Sequence, residues 1–282
     1  MCDLPFFRRF CRESYNQPRE VYERLKQRGM DLVTLTDHDS IDGAEELCRY
    51  PDFFLSEELT CRLPSGTLVH IGVYDISERQ HVEIQRRRND LISLLMYLTE
   101  RRLFFTLNHV FSALTGRREL EDFQWFEQYF PAIETRNGLL MTTNNREAAQ
   151  LARRLGKVRV GGSDAHVITS VGTTFTEVAF ARDKTEYFAG LRAGKAYVRG
   201  ETGGYWKLTK HICLLSLEMM REKRWTACLA PLAVLIPAAS LWNCLGERFF
   251  VERWAAEVIR EQESRGASRR SRNDWMRREV WA

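Results

Sequence analysis

With 282 residues, the chain is long enough for one large domain with an appendage or for two small domains. Its hydrophobic content of 44% and charged content of 28% are typical of a globular protein. The net charge is only +4 and the positive excess lies near the C-terminus, so the composition gives no general case for nucleic-acid binding. The seven cysteines form no C-x-x-C pair, and the N-terminus has no secretory signal pattern. Both observations indicate reduced thiols in a cytoplasmic protein.

Apolar runs alternate with helical patterns along the first 200 residues. A helix is predicted to begin near Pro18 and to end at Gly29. The further predicted elements, in chain order, are a strand at 32–36, a short helix after 40–43, apolar runs at 53–55 and 68–74, a long helix at 78–101, strands at 103–107 and 132–135, a helix at 144–156, strands at 158–161 and 173–180, and a helix at 184–193. This alternation predicts a mostly parallel α/β architecture.

Polar clusters follow two of the predicted strands directly. The strand at 32–35 is followed by Thr36-Asp37-His38-Asp39, and the strand at 158–160 by Gly161-Gly162-Ser163-Asp164-Ala165-His166. A single histidine after a strand is usually structural, but four of the six histidines lie in or at the end of apolar runs: His38, His70, His109 and His166. Imidazole and carboxylate are the side chains that bind borderline divalent cations, so the pattern predicts a metal site where these strands end.

Five short segments resemble motifs of the PHP superfamily, which is named for polymerase and histidinol phosphatase. They are Leu35-Thr36-Asp37-His38-Asp39, Ser56-Glu57-Glu58-Leu59-Thr60, Val69-His70-Ile71-Gly72, Leu107-Asn108-His109 and Gly162-Ser163-Asp164-Ala165-His166. The resemblance covers residues 30–180 and is closest to small bacterial PHP proteins. It implies a distorted (β/α)7 TIM-like barrel over residues 1–200, one to three divalent metal ions (Zn, Mn or Fe), and hydrolysis of a phosphoester, with a small phosphorylated metabolite as the expected substrate.

The resemblance also assigns ligands to the first of the implied metals. Glu58 would bridge two metals, with Glu57 as the alternative bridging residue. His70 and His109 would complete one of these two metal sites.

The other implied ligands come from the two polar clusters. Asp164 would belong to the second bridged metal, and His38 and His166 would serve a third. Asp37 and His38 are the candidate catalytic residues of the site.

One departure from the family pattern affects the expected activity. The family begins with a strand that ends in His-x-His, whereas this chain has no histidine before His38. The expectation is therefore an N-terminally truncated domain that lacks the first barrel strand and three ligands. The alternative is a degenerate PHP domain that acts as a membrane-associated binding or regulatory module. A nuclease, as in polymerase-linked members, ranks lower because no basic cleft pattern is present.

A further carboxylate, Glu134, precedes Arg136-Asn137-Gly138 at another strand end. Its ordinary interpretation is a salt-bridged group at a turn. The functional interpretation is a residue that supports the ligands or faces the substrate, and the sequence leaves both open.

Residues 201–282 are predicted to form a helical extension. Its segment 226–245 contains no formal charge, and Trp225 and Trp242 lie near its ends. Twenty uncharged residues can span a bilayer, and interfacial tryptophans are typical of such segments. Pro231 and Pro237 reduce the hydrophobicity of this segment, so a buried helical hairpin that packs on the barrel remains the alternative. The arginine-rich tail is interpreted as solvated, or as a contact with anionic lipid.

Overall fold

The computed structural model describes the backbone of residues 14–279 and the side chains of residues 14–257. The strands are β1 (Ser56–Arg62), β2 (Leu68–Tyr74), β3 (Phe104–Asn108), β4 (Ala132–Asn137), β5 (Val158–Gly162), β6 (Thr174–Val178) and β7 (Ala196–Gly200). The helices are α1 (Pro18–Gln27), α2 (Asp42–Glu45), α3 (Glu78–Arg87), α4 (Leu91–Glu100), α5 (Asp122–Tyr129), α6 (Thr142–Arg154), α7 (Lys184–Arg192), α8 (Tyr205–Glu222) and α9 (Ile236–Glu279). Short 3-10 segments lie at Ala113–Thr115, Ile168–Ser170 and Arg224–Leu235.

The main sheet has five strands in the order β1-β2-β3-β4-β5. Strands β1, β2 and β3 pair antiparallel, whereas β3, β4 and β5 pair parallel. The prediction of a mostly parallel sheet is therefore wrong for its first half. The turn at 63–67 that joins β1 to β2 is too short for the crossover that a parallel pair needs, so these two strands form a hairpin.

The five-stranded sheet does not close into a barrel within the described residues. Strands β6 and β7 form a separate antiparallel pair. The Thr176 hydroxyl connects this pair to β5, since it accepts from the Gly161 N–H and donates to the Gly161 carbonyl, both at 2.9 Å. Val160 of β5 also lies in one apolar cluster with Val178 and Ala196. The expected (β/α)7 barrel is thus replaced by a mixed α/β arrangement of one open sheet, one two-stranded sheet and surrounding helices.

The predicted strand at 32–36 is extended but makes only an isolated bridge, between Val33 and Phe53. The Thr34 hydroxyl donates to the Phe54 carbonyl at 2.7 Å, so a side chain takes an acceptor that a continuous ladder would use. A second bridge joins His38 to Glu58. The segment therefore runs beside the start of β1 and brings His38 to the edge of the sheet.

The predicted helix at 78–101 is two helices, α3 and α4, separated at Arg88–Asp90. The Asp90 side chain accepts from the Ser93 N–H at 3.1 Å and caps α4. Helix α5 and strands β1 and β7 were not predicted. The apolar run at 53–55 makes only the isolated bridge at Phe53, and Glu57 and Glu58, which were expected to follow it, lie inside β1. The other predicted strands and helices are present with ends that differ by a few residues.

The core lies on the face of the main sheet where Leu59, Ile71, Leu107 and Ile133 alternate with polar neighbours. Helix α9 contributes to the same core through Val251 and Trp254. The C-terminal helix therefore packs on the domain rather than extending away from it along its whole length.

The segment 226–245 is not the buried hairpin that was one of its two interpretations. Its large apolar side chains Leu232, Val234 and Trp242 are exposed. By length and composition, Arg224–Glu257 is the one helical stretch of the described chain that could cross a membrane, and little of its most apolar part is buried.

Candidate metal centre

Adjacent glutamates on β1 face opposite sides of the sheet because side chains alternate along a strand. Glu57 is fully buried on one side, where it accepts from His81 Nδ1 at 2.9 Å and from Gln85 Nε2 at 2.7 Å. Glu58 lies on the other side, among the predicted ligands. The alternative of Glu57 as the bridging ligand is therefore wrong, and Glu58 is the carboxylate that the sheet presents to the site.

Strands β2 and β3 bring two histidines to Glu58. His70 pairs with Asn108 in the register of these strands, and His109 directly follows β3. His70 Nδ1 and His109 Nε2 each lie 3.6 Å from Glu58 Oε1. Asn108 Nδ2 donates to the same oxygen at 3.0 Å and fixes the carboxylate. We call Glu58, His70 and His109 the strand group.

The two histidines of the strand group are in unusually close contact. His70 Nδ1 and His109 Nε2 are 2.7 Å apart, so the nitrogens must share either a proton or a cation. Burial lowers the pKa of His70 to about 2, and the neighbouring His109 adds to this effect. Burial opposes charge on His109 as well, but Glu134 and Glu58 outweigh it and raise its pKa to about 9. The nitrogens of two histidines that bind one tetrahedral zinc would be about 3.3 Å apart. The two rings would therefore need to move only slightly further apart to accommodate the ion.

His38 joins the strand group from the extended segment before β1. Its Nε2 lies 3.9 Å from Glu58 Oε2, and its ring centre is 4.7 Å from that of His70. Donor atoms of His38, Glu58 and His70 all lie within 4.8 Å of one another. In the part of the chain that the structure describes, His38 Nδ1 is buried without a hydrogen-bond partner. Four of the six predicted ligands therefore meet at one place.

Glu134 on β4 lies beside the predicted ligands, an arrangement that both interpretations of this residue allow. Its Oε2 accepts from the His109 backbone N–H at 2.9 Å and lies 3.4 Å from His109 Nδ1. Asn137 Nδ2 donates to the same oxygen at 3.2 Å. A carboxylate beside the outer nitrogen of a histidine directs the inner nitrogen towards a metal, and this pairing is common around metal sites.

The second polar cluster forms a separate group in the loop after β5. Asp164 accepts from Asn137 Nδ2 at 2.9 Å. Burial disfavours the Asp164 carboxylate, but His166, His109 and Asn137 outweigh burial and lower its pKa to about 2. His166 Nδ1 donates to the Asp164 carbonyl at 3.0 Å, which leaves Nε2 as the nitrogen with a free lone pair. We call Asp164 and His166 the loop group.

Two of these residues have left-handed backbone conformations that are unfavourable for residues other than glycine. The φ angle is 31° at His109 and 47° at Asp164. Such strain concentrates at functional sites, where the surrounding contacts maintain it. Glu134 holds the His109 N–H, and Asn137 holds the Asp164 carboxylate.

The remaining carboxylates of the first cluster differ in their surroundings. Asp39 is structural, since it forms an ion pair with Arg88 at 2.6 Å and accepts from the Thr60 N–H at 2.9 Å. Asp37 lines the cavity beside His38. Burial raises the pKa of Asp37 although His38 opposes this shift. Of the two carboxylates, Asp37 is thus the one that lines the cavity.

His211 on α8 was missed by the sequence analysis. It is buried, its ring centre lies 5.7 Å from that of His166, and burial lowers its pKa to about 4. No hydrogen-bond partner for its Nδ1 is found among the described residues. It follows no strand, so the strand-end signal that found the other histidines could not have identified it.

A cavity of about 1130 Å³ adjoins both groups. Its lining includes His38, Glu58, His109, Asp164 and His166. Such a volume accommodates a small organic ligand. The donor set, the unpartnered His38 nitrogen and the supporting carboxylate fit divalent cations, and the fold and site together define an α/β protein with a histidine–carboxylate site of the metal-binding kind.

The comparison with known protein families agrees with this class. Residues 142–196 match the family described as PHP-associated. This match agrees with the resemblance to the PHP superfamily, and it contains the last of the five motifs, at 162–166. No curated protein sequence matches the chain.

Three solved structures are similar to the chain to different degrees. PsfC from Pseudomonas syringae PB-5123 is 19% identical, with a TM-score of 0.51 over 72% of this chain and 88% of PsfC. A candidate metal-dependent phosphoesterase from Bifidobacterium adolescentis is 14% identical, with a TM-score of 0.43 over 64% of this chain and 92% of that chain. The lesion-specific endonuclease PfuEndoQ from Pyrococcus furiosus is 15% identical, with a TM-score of 0.47 over 67% of this chain and 56% of that chain. The similarity to PsfC supports the fold alone. No conclusion about this chain follows from the two lower TM-scores.

Proposed function

We propose that the chain is a metal-dependent hydrolase that cleaves a phosphoester of a small metabolite. The observation that carries this proposal is the convergence of His38, Glu58, His70 and His109 beside a cavity that Asp164 and His166 also line. The proposed ligands are these six residues, and His211 is an additional donor candidate beside His166.

When bound, divalent cations would neutralise phosphate oxygens. They would also lower the pKa of a water molecule towards neutrality, so that hydroxide is available near neutral pH. The residues of the chain have distinct tasks. Glu134 orients His109, and Asn137 holds Asp164. Asp37, whose pKa is raised by burial, would donate a proton to the leaving oxygen.

A small substrate is preferred to a nucleic acid on grounds of charge. Residues 1–220 contain 30 Lys and Arg against 30 Asp and Glu, so the part of the chain that holds the site has no basic excess. Binding to nucleic acids depends strongly on neutralising phosphates with basic side chains. A nuclease therefore ranks below a phosphatase.

The test is hydrolysis by the full chain after reconstitution with Zn²⁺, Mn²⁺ or Fe²⁺. We expect turnover of small phosphate monoesters that is abolished by a chelator, and little cleavage of single-stranded DNA. The matched variant Asp37→Asn should retain metal but lose about 10²-fold or more in kcat. Metal binding without turnover of any phosphoester would favour a degenerate binding module, and failure to bind metal would refute the proposal.

A further inference from the structure

Helix α9 has two faces of different character. The face that packs on the domain carries buried side chains at spacings of three and four residues, namely Ser240, Cys244, Glu247, Val251 and Trp254. This periodicity keeps one side of the helix against the core for four turns. The orientation of the helix on the domain is thereby fixed.

A buried carboxylate fastens this face. Glu247 accepts from Ser112 Oγ and the Ala113 N–H at 3.1 Å, and from Asn144 Nδ2 at 2.7 Å. Burial raises the pKa of Glu247, although these donors oppose the shift. Pulling α9 from the domain would leave this carboxylate and its donors without partners and would open the core at Val251 and Trp254.

The outward side of α9 and of the preceding 3-10 segment is apolar. It carries an exposed set of large side chains that we call the apolar stripe: Leu229, Leu232, Val234, Leu235, Leu241, Trp242, Leu245 and Phe249. Val234 and Trp242 are 78% and 80% exposed. So many exposed large apolar side chains within 21 consecutive residues are typical of an interaction site on a folded protein.

The net positive charge of the chain arises from the C-terminal segment that contains the apolar stripe. Residues 221–282 contain 12 Lys and Arg against 8 Asp and Glu, an excess that equals the net charge of +4 of the whole chain. Apolar side chains combined with a basic excess complement the surface of an anionic bilayer, where acyl chains lie beneath negative headgroups. An uncharged protein surface would complement the apolar side chains but not the basic excess.

We propose that the apolar stripe lies in the headgroup region of an anionic lipid bilayer, with α9 parallel to the membrane plane and the domain on one side of it. The contacts of Glu247 and the core residues on the inner face oppose a membrane-spanning orientation, because insertion across the bilayer would break them. The proposal is independent of the hydrolase activity, since neither metal ligands nor cavity residues take part.

The first test is flotation of the full chain with vesicles of phosphatidylcholine alone or mixed with phosphatidylglycerol. We expect binding to the mixed vesicles that weakens as salt is raised. The double variant Trp242→Glu/Phe249→Glu should bind at least about tenfold more weakly. Phe180→Glu is the matched control, because Phe180 is 97% exposed and lies outside the stripe; it should bind like the unchanged chain.

Thermal unfolding of each variant establishes that the fold is retained. Absence of binding to phosphatidylglycerol vesicles at low salt, or equal loss in the Phe180 control, would overturn the proposal. A dimer in solution that Trp242→Glu/Phe249→Glu converts to a monomer, without vesicle binding, would assign the stripe to a second copy of the chain instead.

The second test separates a surface position from a spanning one. Membranes that carry the full chain are washed with high salt and then with alkaline carbonate. We expect release of the protein, as for an interfacial helix. Retention after carbonate would show that the segment crosses the bilayer and would overturn the proposed orientation.

Discussion

The strand group and the loop group use similar residue types but hold them differently. Glu58 and His109 of the strand group lie in or directly after paired strands, and only 9% of each side chain is exposed. Asp164 and His166 of the loop group follow β5 in a loop, where 27% and 29% of their side chains are exposed. The comparison indicates that the sheet fixes one part of the site before any cation binds, whereas the other part is positioned mainly by Asn137 and by local hydrogen bonds.

The largest expected effect is in the strand group. Glu58→Gln keeps the size of the side chain but removes the charge that faces three histidines, so we expect activity to fall by about 10³-fold and the metal content to fall with it. Measured metal per chain and the turnover rate check this. Glu57→Gln is the control from the opposite sheet face: burial already raises the pKa of Glu57, so a neutral amide should be tolerated and metal content should not change. Equal metal loss in both variants would contradict the distinction between the faces.

The next effect concerns the residue between the two groups. Glu134→Gln removes the carboxylate that faces His109 Nδ1 and that also contacts Asn137, the partner of Asp164. We expect metal affinity to fall by about 10- to 100-fold, as for other residues that support ligands. Competition with a chelating dye measures the affinity. If only the overall stability falls and the affinity is unchanged, Glu134 is a structural group.

A smaller difference separates the two groups in the unchanged protein. Because the loop group is more exposed and lies outside the sheet, its metal should be removed at a chelator concentration about tenfold lower than that of the strand group. Metal release measured across a chelator titration should therefore show two steps. A single step at all concentrations would indicate that the two groups form one cooperative site.

The smallest effect is expected at His211. His211→Ala should lower the affinity of the loop group by less than about tenfold, because Asp164 and His166 remain. His81→Ala is the matched control, since His81 contacts Glu57 on the opposite face of the sheet. The Co²⁺-substituted protein gives the readout: the visible spectrum should change in the His211 variant only. Identical spectra would assign His211 to packing.

Part of the candidate site could be predicted from the sequence by a local rule. A buried strand that ends in carboxylate and imidazole places these groups at a sheet edge. His109 and Asp164 follow β3 and β5 in this way, whereas His38 follows an extended segment and His70 lies inside β2. The choice between Glu57 and Glu58 could not be made from the sequence, because alternation shows that they face opposite ways without showing which way faces the site.

The architecture was harder to predict because it depends on distant contacts. The Thr34 hydroxyl takes a carbonyl that a backbone ladder would otherwise use. The Thr176 hydroxyl makes hydrogen bonds where backbone bonds would otherwise join β5 to β6. Neither effect has a signal in the local pattern, which predicts an ordinary strand in both places. His211 was missed for a related reason, since its nearness to His166 comes from the docking of α8 and not from the sequence around it.

The position of Val251 and Trp254 in the main core has a consequence for biosynthesis. A ribosome makes the seven described strands and the six predicted ligands before it makes these two residues. A nascent chain that ends near Gly200 therefore holds the six predicted ligands on an incomplete scaffold, and folding finishes only after α9 has emerged. Until α9 docks, its inner and outer apolar faces are both uncovered, so the last step of folding and the first contact with a membrane would compete for the same helix.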